Sequence, residues 1–206
     1  MASPAEAARL LAAEHPEIAW GMEVFGPARF GRRPKVDERF GRLVRSITGQ
    51  QLSVAAARTI HGRLCDLVGD PSPASILDRS PDEFRSCGLS NAKAVALGDL
   101  AARVDDGRLD LAKLGRSSDT DVIDTLTEVK GVGPWTAQMF LLGVLHRLDV
   151  WPTGDAGVRN GFAVLTGRNG PPNADELEDL GDRYQPYRSV VAWYCWRFLD
   201  NNPNTQ

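Results

Sequence analysis

Apolar residues in this chain return every three or four positions, and runs that alternate apolar with polar residues are missing. That period is the signature of helices that bury one face, and it sets the fold class as all-α. Start and stop signals divide the chain into short pieces. Ser53 precedes Val54, Ala57, Ile60, Leu64 and Leu67 at helical spacing. Ser80-Pro81-Asp82-Glu83 combines a capping box with proline at the first helical position. Ser90 opens a segment whose Val95, Leu97, Leu100 and Val104 share a face, and Gly107 ends it. Asn173 with Glu176 makes a second box, and a last helix rich in aromatics starts at Tyr187. The expectation is roughly nine or ten short helices joined by short loops.

The stretches richest in turn formers, Phe25 to Pro34, Gly69 to Pro73 and Thr166 to Asn173, are too short to be flexible interdomain linkers. A chain of 206 residues suits one domain built from two small lobes. We expect two helical lobes with a cleft between them. Lobe A would hold residues 1–45 and 128–206, and lobe B residues 46–127.

The longest apolar stretch, Met139 to Leu145, is far too short to span a bilayer. The amino terminus has no basic segment followed by an apolar run and reads as an amphipathic helix. A cytoplasmic location is the expectation, with no membrane partner. Cys65, Cys87 and Cys195 lack the close spacing of zinc or iron–sulfur ligands and are expected to be reduced thiols. His15, His61 and His146 are equally scattered. The net charge of −3 argues mildly against a general nucleic-acid binder. It leaves room for a local basic face. Arg29, Arg32, Arg33 and Lys35 cluster, and Arg39, Arg42 and Arg45 follow. A solvated helix face and a DNA-facing surface are both open for them.

The most informative segment is TDVIDTLTEVKGVGPWTAQMFLLGVL, from Thr120 to Leu145. Val122, Ile123, Leu126 and Val129 share one helical face. Gly131-Val132-Gly133 follows, and a second helix starts at Pro134, with Ala137, Phe140, Leu141 and Val144 as its apolar stripe. Two glycines one residue apart allow a tight reversal through positive φ angles and leave the backbone bare, while Val132 plugs into the core. Amides at the head of the second helix then make a site for an anion such as a DNA phosphate. A plain helix–turn–helix corner is the alternative.

The run LTEVKGVGPWTAQMFLL resembles the helix-hairpin-helix of base-excision DNA glycosylases. LDVWPTGDAGVRNGF resembles the loop and helix that carry that superfamily's essential aspartate. LVRSITGQQLSVAAA, GLSNAKAVALGDLA and YQPYRSVVAWYCWR are similar to segments of its 3-methyladenine DNA glycosylase II branch. The resemblance runs from about Phe40 to Leu199, with the segments in the same order; the chain is too short for the N-terminal β-rich domain of larger bacterial members.

The resemblance implies a monofunctional enzyme that hydrolyses the N-glycosidic bond of alkylated purines (3-methyladenine, 7-methylguanine) in double-stranded DNA. Asp155 would be its catalytic carboxylate. Local sequence alone makes Asp155 a helix N-cap, and both roles can coexist. Asp149 matches a residue outside the active centre and is expected in a salt bridge or turn. Where bifunctional members carry a lysine, this chain has Trp135, and Lys130 does not match that position, so Schiff-base lyase chemistry is not expected. Only Cys195 lies where other members hold a four-cysteine cluster, so no iron–sulfur cluster and no catalytic cofactor are expected.

Trp135 and Trp196 match positions that line the base pocket, with Tyr194 and Trp20 as weaker candidates; core packing is the alternative for each, and the reading we take for Trp193 and Phe198. The loop Gln50-Gln51-Leu52-Ser53 matches the position of the wedge that fills the gap left by an extruded base, with Gln51 and Leu52 as candidates. Leu52 could instead staple the following helix. Carbonyls of Thr127, Val129 and Val132 match those that hold a structural Na⁺ or K⁺ at the hairpin. The alternatives in function are a glycosylase for another damaged base, such as uracil or an oxidised purine, and a non-catalytic DNA-binding protein. A monomer is expected.

Overall fold

The computed structural model describes residues 2–200, and all regular structure among them is helical. The α-helices are α1 (Pro4–Glu14), α2 (Pro16–Phe25), α3 (Arg39–Gly49), α4 (Val54–Val68), α5 (Pro73–Leu77), α6 (Pro81–Ser86), α7 (Asn91–Asp105), α8 (Asp119–Thr127), α9 (Pro134–Gly143), α10 (Ala156–Thr166), α11 (Ala174–Gly181) and α12 (Arg188–Asp200). Two 3-10 turns, Lys113–Arg116 and Asp182–Tyr184, complete the regular structure of the described residues. The count exceeds the expected nine or ten; α6 follows the Ser80 box as expected, whereas the five-residue α5 stands as a separate helix behind Ser72 and Pro73.

The start signals act as the sequence implies. Ser80 and Glu83 exchange side-chain and backbone bonds in a capping box, as do Asn173 and Glu176, and Ser118 with Asp121 makes a further one. Ser53 and Ser90 cap α4 and α7. Such caps satisfy amides that have no partner within the helix, each contributing about 1 kcal/mol. Buried faces differ in places from the sequence reading. On α4 the core is reached by Leu64 and Val68, and Val54 is exposed. On α7 it is reached by Ala94, Leu97, Leu100 and Ala101, and Val95 is exposed. In both helices alanines or late residues complete the stripe, so the outlying valines fall off it.

The chain divides into two compact units. Unit 1 joins residues 1–33 to 146–206, and unit 2 is the continuous stretch 34–145. The expected boundaries are corrected: residues 34–45 and 128–145 belong with the middle segment. The cause is packing. α3 lies against α4, α7 and α9, and α8 lies against α9. Arg39, buried at the start of α3, donates from Nη1 to the Leu111 carbonyl at 2.5 Å. That contact is structural, so Arg39 is neither a solvated nor a DNA-facing arginine.

Unit 1 is built around α12, which packs on α10 and α2. Gly161 of α10 makes the close approach possible, since a Cβ there would stand 2.0 Å from the Cys195 carbonyl oxygen. Gly21 of α2 faces the buried Tyr194 ring in the same way, at 2.9 Å. Ser189 Oγ accepts from Val150 N–H at 2.8 Å, and Trp151 Nε1 donates to the Leu177 carbonyl at 2.7 Å. These bonds hold the segment leading to α10 on α11 and α12.

Gly161→Ala is expected to lower the unfolding free energy by about 3 kcal/mol, because the clash is with backbone and no side chain can yield. Urea unfolding followed by circular dichroism measures it; a loss below about 0.5 kcal/mol, the level of an ordinary surface change, would contradict the packing described.

Candidate DNA-repair site

The residues singled out by sequence fall in both units: Asp155 and Trp196 in unit 1, and the hairpin, the wedge candidates and Trp135 in unit 2.

In unit 1, Asp155 is the N-cap of α10, and its Oδ1 accepts from Val158 N–H at 2.8 Å. The cap expected from local sequence is therefore present. Trp196 Nε1 donates to the same oxygen at 3.1 Å. Both side chains are half-buried. Gly157 was not singled out in the sequence. A Cβ there would stand 2.9 Å from Asp155 Oδ1 and 3.0 Å from Trp196 Cδ1. Its bare Cα leaves room for the indole beside the helix head. The GDAGV string contains that glycine, but the indole it accommodates comes from a distant segment.

The neighbours of this pair have structural roles. Asp149 makes a two-point ion pair with Arg188, Nε to Oδ1 at 2.8 Å and Nη2 to Oδ2 at 3.0 Å, in line with the expected salt bridge. Tyr194 is fully buried, and its hydroxyl donates to the Gly26 carbonyl at 3.0 Å. Burial pushes that hydroxyl's pKa up to about 12. Tyr194 is thus a core residue, which corrects its weak candidacy for the pocket. Phe198 is buried, as expected for core packing, and the exposed Trp20 stacks on it with ring centroids 4.3 Å apart. Trp193 is half-buried beneath the Arg197 guanidinium.

In unit 2, the hairpin between α8 and α9 has the expected corner, with one correction. Gly131 has φ of +75°, whereas Gly133 is extended, at φ −97°. Gly133 is the N-cap of α9, and no heavy atom lies within 4 Å of where its Cβ would be. Only Gly131 therefore needs the left-handed region. It also lies against α7, where a Cβ would stand 3.0 Å from Ala96 Cβ. Val132 is buried between the exposed glycines, as the plug reading requires. Lys130 N–H donates to Asp99 Oδ2 of α7 at 2.9 Å. The corner is thus docked on α7 by a close contact and by a carboxylate bond.

Of the three carbonyls considered for a cation, that of Val129 accepts from Val132 N–H at 3.0 Å inside the turn. A carbonyl has a second lone pair, and three neutral oxygens suit a monovalent ion.

The loop between α3 and α4 carries both wedge candidates, Gln51 and Leu52, with exposed side chains. Gln51 is one of two non-glycine residues with positive φ among those described, at +58°. Backbone of that kind is held in place by its surroundings. Gln50 supplies the hold, since its Nε2 donates to the Gly131 carbonyl at 3.1 Å and to Thr136 Oγ1 at 2.9 Å. Lys93 Nζ donates to the Thr48 and Gln50 carbonyls, each at 2.8 Å, and desolvation lowers its pKa. Gln50 and Lys93 are supports of this loop that sequence reasoning missed. The first of the paired glutamines offered a signal for one, and nothing local distinguishes Lys93.

Trp135, on the first turn of α9, is 37% exposed, so it is not a core residue. It borders a hollow of about 390 Å³ together with Leu52, Met139, Arg42 and Arg45. The structure brings Trp135 and Leu52 to one hollow and adds two exposed arginines of α3 to its edge.

A model of the HhH-GPD superfamily of base excision DNA repair proteins matches residues 44–186. The DNA-3-methyladenine glycosylase 1 of Schizosaccharomyces pombe is 30% identical over 180 residues, which cover 85% of this chain and 79% of that protein. The solved S. pombe 3-methyladenine DNA glycosylase, in complex with abasic DNA, superposes with a TM-score of 0.86 at 29% identity, over 93% of this chain and 95% of that one. A DNA-3-methyladenine glycosidase from Bacillus halodurans has 34% identity and a TM-score of 0.78, over 95% and 88%.

Gly131→Ala is expected to lower stability by roughly 1–2 kcal/mol, through the left-handed backbone and the Ala96 contact. Gly133→Ala is expected to change it by less than about 0.5 kcal/mol. Paired thermal melts check the contrast, and equal effects would contradict the separate roles of the two glycines.

Proposed function

Because the chain belongs to the HhH-GPD superfamily of base excision DNA repair proteins, we propose that it is a monofunctional DNA glycosylase that releases alkylated purines of the 3-methyladenine and 7-methylguanine type. The observation that carries the reading is Asp155, a half-buried carboxylate held by the first-turn amide of its own helix.

The chemistry follows from what the bond requires. Cleaving an N-glycosidic bond builds positive charge on the deoxyribose, as in sugar hydrolysis. A fixed carboxylate beside that carbon stabilises the charge and steers the attacking water. The bonding pair leaves with the base, oxygen from water joins the anomeric carbon, and the water's proton passes to solvent. A purine alkylated at N3 or N7 is already cationic, so it departs neutral and needs no strong general acid. Aromatic faces favour such a base, and Trp196 of unit 1 and Trp135 of unit 2 are each proposed as a stacking residue for it.

The rest of the machinery serves DNA distortion. The head of α9, with Gly131, Val132 and Gly133, takes a phosphate, and a monovalent cation held by the Thr127, Val129 and Val132 carbonyls would add positive charge there. Gln51 or Leu52 fills the gap left by the extruded nucleotide, at a cost of a few kcal/mol in unstacking. Arg42 and Arg45 add charge beside it. Trp135 occupies the first turn of α9, and Lys130 instead borders a hollow with Ile76, Phe84 and Gly98, which supports hydrolysis without strand cleavage. Among the described residues no helix is long and apolar enough to cross a membrane. The proposed setting is the nucleoid, with the protein acting as a monomer.

The expected outcome for Asp155→Asn is a fall of about 10²–10³-fold or more in release of methylated purines, with binding to abasic-site DNA retained. Chromatography of bases freed from methylated DNA measures it, and undiminished release would remove Asp155 from the chemistry. Borohydride added during turnover is expected to trap no protein–DNA adduct; a trapped lysine would show lyase activity.

A further inference from the structure

Trp196 has been considered so far as a wall for the base, yet its polar edge is engaged elsewhere. The indole Nε1 donates to Asp155 Oδ1 at 3.1 Å, and Val158 N–H donates to that same oxygen at 2.8 Å. A carboxylate tied by one bond can still rotate about it. Two donors from different directions on one oxygen fix the plane of the group, and with it the direction of the second oxygen. One donor belongs to α10 itself and the other to α12, which the Gly161–Cys195 approach locks against α10. The arrangement leaves no space for a side chain at position 157. A Cβ on Gly157 would lie 2.9 Å from the carboxylate oxygen and 3.2 Å from the indole nitrogen that bonds to it. Gly157 lies inside α10 and has no positive φ. Its backbone would accept alanine, and alanine is the better helix former. The glycine is therefore explained by the room the tryptophan needs.

We propose that Trp196 is a positioning residue for the Asp155 carboxylate, and that Gly157 is the clearance that lets its indole reach it. The inference rests on the reading of Asp155 as the catalytic group. Its energetic logic is that of preorganisation: a group already aimed at the developing charge needs no reorganisation during the reaction. A wall residue contributes to binding the extruded base. A positioning residue contributes to the rate after binding.

Single-turnover release of 7-methylguanine from DNA, measured against enzyme concentration, separates these roles. Trp196→Phe keeps an aromatic ring and removes the N–H. The expected result is a fall in the maximal rate of about 10–100-fold, the size seen when an outer partner of a functional group is lost. The half-saturating concentration should stay within about twofold. Gly157→Ala, which displaces the indole from the carboxylate, should give the same split at a modest cost in thermal stability, and it stands in if Trp196→Phe does not fold. A maximal rate close to wild type in the folded variants would overturn the proposal. So would a loss that appears only in half-saturation, which is the behaviour of a wall. Asp155→Asn, run alongside, keeps the two readings apart. If it retains the full rate, the catalytic assignment itself fails. If it loses the rate while Trp196→Phe keeps it, only the positioning role fails.

Discussion

A carboxylate at the head of a helix has its torsions set by the amide it caps, and the chemistry proposed for this protein depends on that restraint. Asp155 accepts from Val158 N–H and Trp196 Nε1 on a single oxygen. Much of unit 1 serves this point. Gly161 brings α12 against α10, Gly157 makes way for the indole, and the Val150–Ser189 and Trp151–Leu177 bonds fix the segment before the cap. A free aspartate on a loop would have the same charge but a broad range of directions, and a developing cation gains from a charge already in place. Capping and catalysis are thus compatible demands on one residue: the cap bond immobilises the group that the proposed reaction would use.

Unit 2 applies the same logic to backbone. Its hairpin exposes Gly131 and Gly133 while burying Val132, so a bare corner is held rigid by a plug beneath it. Docking on α7 through Ala96 and Asp99 fixes one side. Gln50 ties the neighbouring loop to the corner through the Gly131 carbonyl and Thr136, and Lys93 ties it again from α7. The strained backbone of Gln51 is held between those anchors. A loop proposed to enter a base stack without collapsing needs this kind of support.

What could be read in advance divides by range. Helix starts were legible because a cap is a contact over three residues: Ser80 with Glu83, Asn173 with Glu176, and Asp155 with Val158 all behave as their spacing implies. The Gly131–Gly133 corner was legible for the same reason, although periodicity could not tell that only the first glycine takes positive φ. Contacts across long separations were not legible. The Trp196–Asp155 bond, the clearance at Gly157 and the Lys93 anchor each join residues far apart in the chain. The expected lobe boundaries failed on that ground too, since α3 and the hairpin belong to unit 2 through packing on α7, which no local pattern shows. Tyr194 was misjudged because an aromatic in a helix reads alike whether it faces a pocket or, as here, the core.

The central claim is that the Asp155 side chain acts on the anomeric carbon of an extruded nucleotide. The most direct measurement is a crystal structure of Asp155→Asn bound to duplex DNA carrying an intact methylated purine. The account predicts the damaged nucleotide out of the stack, with its anomeric carbon about 3–3.5 Å from the amide at position 155. An extruded nucleotide whose sugar faces a different carboxylate, or a lesion left stacked with position 155 remote from any sugar, would contradict it.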